Sequence, residues 1–88
     1  MRIASLGSGS KGNATLVDTG ETLLLIDCGL TRKEAEERLV ARGVSAGDID
    51  AILVTHEHGD HCRGVAALSS NYEIPVFLTA GTAGSPKF

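Results

Sequence analysis

The hydrophobic residues of this 88-residue chain fall into short runs that are separated by glycine and polar residues. Runs of this length, rich in leucine and β-branched side chains, are typical of β-strands. The predicted strands are residues 2–6, 14–18, 22–27, 50–55 and 76–79. Between the second and third runs, Thr19-Gly-Glu-Thr22 predicts a turn, so these two strands should form a hairpin.

Two segments have the composition of helices. The first follows a capping box, Thr31-x-x-Glu34, runs over residues 33–42 and reaches Gly43, a residue that favours the position after a helix. On its polar face, Glu34 and Arg38 have the spacing of an ion pair. Residues 63–70 predict the second helix, and residues 71–75 a turn after it. Strands and helices together predict an α/β or α+β fold.

Four potential metal ligands follow the fourth strand: His56, His58, Asp60 and His61. Side chains two residues apart in an extended chain point the same way, so His56 and His58 can hold one ion. Gly59 allows the chain to turn, which would present Asp60 and His61 from another direction to a second ion. Imidazole and carboxylate ligands suit zinc, with manganese or iron as alternatives. A solvated turn or packed core histidines would explain such clustering less well.

The pattern His56-x-His58-x-Asp60-His61 resembles the H-x-H-x-D-H signature of the metallo-β-lactamase superfamily. Residues 4–17, 25–29 and 52–56 resemble the opening of bacterial YycJ (WalJ) type metallohydrolases of that superfamily. The resemblance implies an αββα sandwich, of which this chain would form the N-terminal β-sheet with two helices. Two zinc ions are implied, the first on His56 and His58 and the second on Asp60 and His61.

The same resemblance implies a function. A metal-bound hydroxide would attack the substrate, and Asp60 would act both as a ligand and as the catalytic residue that orients this hydroxide. Phosphodiester bonds of nucleic acid are the implied substrate, with thioesters or lactones as alternatives. The expected activity is therefore that of a metal-dependent phosphodiesterase or nuclease.

The ligand set is smaller than the resemblance requires. Similar superfamily members have further His and Asp ligands later in the chain, but no histidine follows His61 here. A catalytic zinc ordinarily has three protein ligands, whereas this motif supplies two for each ion. We therefore expect residues 1–88 to be the N-terminal portion of a single, truncated domain. The rest of that domain, or a second chain, would complete the site, and the alternative is that this chain alone is an inactive fragment of the hydrolase.

Two further features bear on the site. Asp27 ends the third strand, and a buried carboxylate needs a partner, so we expect it to accept hydrogen bonds from the segment of His56 to His61 and orient a ligand. A simple turn aspartate is the alternative. In the superfamily, the acidic residue that ends this strand has that orienting role.

The loop Gly7–Gly12 matches G-x-G-x-x-G, which would indicate a Rossmann-like nucleotide-binding module if a helix followed. Residues 14–18 predict a strand instead, and a hairpin is favoured. The loop can still contact a substrate phosphate through backbone N–H groups, Lys11 and Asn13, or serve only as a flexible connection.

Net charge, cysteine spacing and the length of apolar runs limit the classes of function that the sequence allows. Net charge is −3 with a pI near 5.5, which provides no broad positive field for nucleic acid. Cys28 and Cys62 lack C-x-x-C spacing and predict reduced thiols. No secretory h-region or membrane-length apolar run is present in the sequence, so a cytoplasmic protein without membrane association is expected.

Overall fold

In a computed structural model of the chain, which describes residues 1–7, 12–55 and 63–78, five strands form one mixed sheet in the order β1-β2-β3-β4-β5. The elements are β1 (Arg2–Gly7), β2 (Ala14–Asp18), β3 (Leu23–Ile26), α1 (Arg32–Val40), β4 (Ala51–Val54), α2 (Val65–Tyr72) and β5 (Val76–Leu78). A short 3-10 helix, Ala46–Asp48, precedes β4. All five predicted strands are confirmed.

The connections explain the strand directions. The chains of β1, β2 and β3 run antiparallel, and the predicted hairpin turn is present, with the Thr19 N–H donating to the Thr22 carbonyl oxygen at 3.0 Å. Parallel pairs need a longer crossover, and α1 and α2 provide it for β3–β4 and β4–β5. The Rossmann-like alternative is wrong, because a strand follows Gly12 where that module requires a helix.

The capping prediction for α1 is confirmed. The Thr31 hydroxyl oxygen accepts from the Glu34 N–H at 3.2 Å, and the Glu34 carboxylate accepts from the Thr31 N–H at 3.0 Å. After the helix, Gly43 has φ +74°, and the Val44 N–H donates to the Leu39 carbonyl oxygen at 2.9 Å. Gly43 therefore closes the helix in the left-handed conformation, as predicted.

The predicted ion pair of Glu34 with Arg38 is wrong. The Glu34 carboxylate is engaged in the cap, and the Arg38 guanidinium donates to the Leu6 carbonyl oxygen. Arg38 therefore ties α1 to the edge strand β1.

The second helix is shifted relative to the prediction of residues 63–70: it begins at Val65 and ends at Tyr72, two residues later at each end. Its last residue, Tyr72, donates its phenol O–H to the Glu36 carboxylate of α1. Glu73, with φ +54°, then ends the helix. In the described part of the chain, no helix has the length and apolar character needed to cross a membrane.

The core lies between the helices and one face of the sheet. Leu25 and Ile52 of the sheet are 0% exposed, as are Leu39 of α1 and Leu68 of α2. The opposite face is also apolar, but Ile3 and Phe77 there are 67% and 57% exposed. The strand register aligns this face in two rows, one of Ile3, Val17 and Leu24 and one of Ile26, Leu53 and Phe77.

Candidate metal centre

The strand that leads to the histidines lies inside the sheet. β4 pairs in parallel with β3 and β5, and its residues Ile52 and Val54 are almost completely buried. Because β3 and β4 are parallel, their carboxyl ends meet at the same edge of the sheet. Asp27 follows β3 and Thr55 follows β4, so the two residues are neighbours there. Ligand sites of α/β sheets commonly occur at this edge.

Asp27 holds the end of β4 through both carboxylate oxygens. Its Oδ1 accepts from the Thr55 N–H at 2.7 Å, and its Oδ2 accepts from the Thr55 hydroxyl at 2.6 Å. The Asp27 N–H donates to the Leu53 carbonyl oxygen at 2.7 Å. Asp27 is only 6% exposed and has φ +61°, a left-handed conformation that aspartate tolerates better than most residues. The residue directly before His56 is therefore fixed in place.

The chain returns from the histidine segment at a point close to Asp27. The Gly64 N–H, just before α2, donates to the Cys28 carbonyl oxygen at 2.8 Å. Burial raises the pKa of the Cys28 thiol to about 11, and its S–H faces the Leu30 carbonyl oxygen at 3.6 Å. Cys28 is a free, neutral thiol, as predicted.

Most of the predicted site residues belong to segments outside the described part of the chain. His56, His58, Asp60, His61 and Lys11 lie outside the described residues, as does Cys62. Within residues 1–7, 12–55 and 63–78, no three His, Cys, Asp or Glu side chains gather in an arrangement suited to a metal. Assignment of the ligands therefore stays a prediction.

Two predicted residues are described and lie near the same connection. Asp27 contacts Thr55, and the Asn13 carbonyl oxygen accepts from the Gly29 N–H at 2.9 Å. The Asp27 carboxylate accepts hydrogen bonds from Thr55, at the end of β4. Its predicted contact with the ligands themselves falls on residues outside the described part.

Thr55 and Gly64 were not singled out by the sequence. The sequence indicates little about Gly64, since a glycine three residues after His61 suggests only that two backbone segments approach closely there.

The chain matches one known protein family over almost its whole length. A family model described as the metallo-beta-lactamase superfamily matches residues 7–87. The chain belongs to the metallo-beta-lactamase superfamily. The fold prediction is thereby confirmed, with the five-stranded mixed sheet and two helices forming part of the metallo-beta-lactamase fold.

Curated relatives in this superfamily include nucleases by name. The chain is 39% identical over 82 residues to exodeoxyribonuclease YycJ of Bacillus anthracis, a match covering 93% of this chain and 31% of that protein. It is also 39% identical over 59 residues to ribonuclease Z of Methanopyrus kandleri, covering 67% of this chain and 20% of that protein. The predicted resemblance to YycJ/WalJ proteins is confirmed. The chain spans about a third of the length of the first curated relatives.

Solved structures of metallo-beta-lactamases have a similar fold over most of this chain. A metallo-beta-lactamase with an HARLDQ motif from Cronobacter sakazakii superposes with a TM-score of 0.80 at 25% identity, over 92% of this chain and 33% of that chain. The B3 metallo-beta-lactamase BJP-1 of Bradyrhizobium japonicum superposes with a TM-score of 0.72 at 23% identity, over 84% of this chain and 28% of that chain. Membership of this superfamily implies the use of a divalent metal.

Proposed function

We propose that this chain carries the first ligands of a metal-dependent hydrolase that cleaves phosphodiester bonds in nucleic acid. One observation carries the proposal: the motif His56-x-His58-x-Asp60-His61 starts directly after Thr55, which Asp27 fixes at the carboxyl end of β4. The two relatives named as nucleases support the choice of substrate.

The donor set fits divalent metals of the zinc type. Three imidazoles and one carboxylate are ligands that zinc accepts, and manganese is the alternative. In the proposal His56 and His58 hold one ion, and Asp60 and His61 hold a second. Such ions lower the pKa of water towards 7 and offset the negative charge that develops on a phosphate. The role of Asp60 is to bind metal and to orient the attacking water by accepting its hydrogen bond.

Contacts to the substrate are assigned to the loop before β2. Asn13 is joined through its carbonyl oxygen to Gly29, two residues after Asp27. This places the end of the glycine-rich loop beside the edge where the histidine motif starts. In the proposal, Lys11 and Asn13 bind a phosphate of the nucleic acid, which supplies local attraction in a chain with net charge −3.

The domain assignment also remains a proposal. Residues 1–88 would form the N-terminal portion of one metallo-beta-lactamase domain, completed by the rest of the domain or by a second chain. The apolar outer face of the sheet supports this, because Ile3 and Phe77 are largely exposed on it and large exposed apolar patches mark interaction surfaces. The length of the relatives also supports this assignment, because the chain spans only about a third of it.

Hydrolysis by the purified chain with added zinc or manganese tests the function. We expect metal-dependent cleavage or metal-dependent binding of single-stranded DNA, lost in Asp60→Asn and kept in Asp48→Asn, which changes an exposed carboxylate outside the motif. Hydrolysis of thioester and lactone substrates is measured in parallel with that of DNA. A metal-loaded chain that neither binds nor cleaves DNA, or that hydrolyses only a thioester or lactone, would contradict the proposed substrate.

A further inference from the structure

The connection between β3 and α1 is buried along four residues. Asp27 is 6% exposed, Cys28 0% and Leu30 3%, and Gly29 is also buried. Connections normally run over the surface, since their backbone polar groups need partners. Here the polar groups of the connection, including the Asp27 carboxylate, have partners on three segments that are distant in sequence.

The first partner is Thr55, the residue before the histidine motif. It donates its N–H and its hydroxyl to the two oxygens of Asp27, at 2.7 and 2.6 Å. Hydrogen bonds to a charged acceptor are stronger than those between neutral groups. The start of the motif is thus attached to the connection.

The second partner is Gly64, two residues beyond Cys62 and three beyond His61. Besides its hydrogen bond to the Cys28 carbonyl oxygen, its Cα approaches the connection so closely that no side chain fits. A Cβ atom at this position would lie 2.3 Å from the Leu30 carbonyl oxygen and 3.1 Å from the Cys28 Sγ. Both are rigidly placed, the first on the backbone and the second in the core, so the approach depends on glycine.

The third partner is the end of the glycine-rich loop. The Gly29 N–H donates to the Asn13 carbonyl oxygen at 2.9 Å. Gly12 has φ +145°, and a Cβ atom there would lie 2.9 Å from Leu30 Cδ2 and 3.1 Å from the Gly29 carbonyl carbon. The loop therefore reaches the connection at a second close contact of backbone on backbone.

We infer that residues 27–30 form a junction that fixes both ends of the metal-binding segment and the end of the glycine-rich loop relative to one another. Gly64 and Gly12 are then positioning residues for the metal ligands, although neither can bind metal through a side chain. The inference rests on the proposed metal site for its functional meaning. Its physical basis is that ligands must be held by a supporting structure, and that fixing the ends of a segment lowers the entropy lost when it is ordered.

Two matched pairs of glycine substitutions test the junction through zinc affinity. Gly64→Ala is paired with Gly47→Ala, since a Cβ on Gly47 would meet no atom closer than 3.8 Å. Gly12→Ala is paired with Gly20→Ala, since Gly20 also has positive φ, +94°, but nothing lies within 4 Å of its Cβ position. We expect Gly64→Ala and Gly12→Ala to weaken zinc binding about tenfold or more, as loss of support behind metal ligands does. The two controls should bind zinc as the wild type does.

Amide hydrogen exchange of the metal-free chain gives a second readout, independent of the metal proposal. Gly12→Ala should accelerate exchange at the Thr55 and residue-64 amides, across the junction, whereas Gly20→Ala should not. If Gly64→Ala does not fold, the zinc affinities of Gly12→Ala and Thr55→Val test the junction; Thr55→Val removes the hydroxyl bond to Asp27 and keeps the N–H bond.

The possible results separate the two proposals. A wild-type chain that binds no zinc but shows the coupled exchange retains the junction and rejects zinc binding by this chain alone. Folded variants with unchanged zinc affinity, or exchange that is accelerated only beside the substituted residue, overturn the junction.

Discussion

Replacing Asp27 by glycine should destabilise the fold by about 3 kcal/mol, at the low end for two hydrogen bonds to a charged group. Among the described residues, these two bonds go to Thr55, at 2.7 and 2.6 Å, and both are lost when the carboxylate is removed. We use the low end of the energy range because Thr55 is exposed, so water can form hydrogen bonds with its N–H and hydroxyl once the carboxylate is gone.

Two contributions to stability can be separated at this position: the hydrogen bonds of the carboxylate and the strain of a left-handed backbone conformation. Asp27 has φ +61°, which glycine adopts without strain and alanine does not. Asp27→Ala should therefore be less stable than Asp27→Gly by about a further 1 kcal/mol. Asparagine tolerates this conformation and keeps one acceptor oxygen, so Asp27→Asn should lose roughly half as much as glycine does.

Urea unfolding followed by far-ultraviolet circular dichroism measures these differences. The expected order of stability is wild type, Asp27→Asn, Asp27→Gly and then Asp27→Ala, with Asp48→Ala as the control at an exposed carboxylate. A free energy of unfolding for Asp27→Gly within about 0.5 kcal/mol of the wild type, the range of neutral surface changes, would refute the role assigned to the carboxylate.

Three further predictions concern the scaffold. Leu39→Ala should cost about 3 kcal/mol in urea unfolding, because Leu39 is 0% exposed, while Val40→Ala, at 69% exposure, should change little; equal effects would contradict the packing. Thr31→Ala should cost about 1 kcal/mol and Thr31→Ser much less. Hydrogen bonds from the Thr31 N–H and then from the Thr31 hydroxyl lower the pKa of the Glu34 carboxyl, so their contribution to stability is complete above the usual glutamate pKa and is lost as pH falls through the lowered value. Thr31→Ala removes the hydroxyl bond but keeps the N–H bond, so its stability should keep most of this pH dependence and lose only the hydroxyl's share. Because burial raises the pKa of Cys28 to about 11, its thiol should react with a disulfide reagent at pH 8 only after unfolding, in a chain whose other cysteine is serine; rapid reaction of the folded chain would disprove its burial.

The strands and the first helix followed from local patterns. The run of residues 14–18 is confirmed to the residue, since a short β-prone segment between a glycine-rich loop and a turn has few other options. The capping box of Thr31 and Glu34 and the closing Gly43 are likewise confirmed, because all their hydrogen bonds span only a few residues.

The errors arose where distant segments meet. Arg38 bonds to Leu6 rather than to Glu34, a contact that depends on how α1 lies against β1. The second helix continues to Tyr72, whose phenol finds Glu36 on another helix. Neither partner is visible in a local pattern.

The candidate site divides in the same way. The ligand motif was found from residue type and spacing, and Asp27 from its place at the end of a buried strand. The contact of Gly64 with Leu30 could not be foreseen, since it joins residues on different elements and is recognised only from the missing space for a Cβ atom. Zinc, the substrate and the cytoplasmic location stay predictions.

Metal content tests the central claim most directly. Zinc and manganese per chain would be measured after exhaustive dialysis of the wild type and of His58→Ala, with Asp48→Asn as the control. We expect the wild-type chain to retain metal, with about two ions per chain if a second chain completes the sites, and a marked loss in His58→Ala alone. A wild-type chain that retains no metal would mean that the motif is only half of a site, whereas a His58→Ala chain that retains as much metal as the wild type would contradict the assignment of the motif as a metal centre.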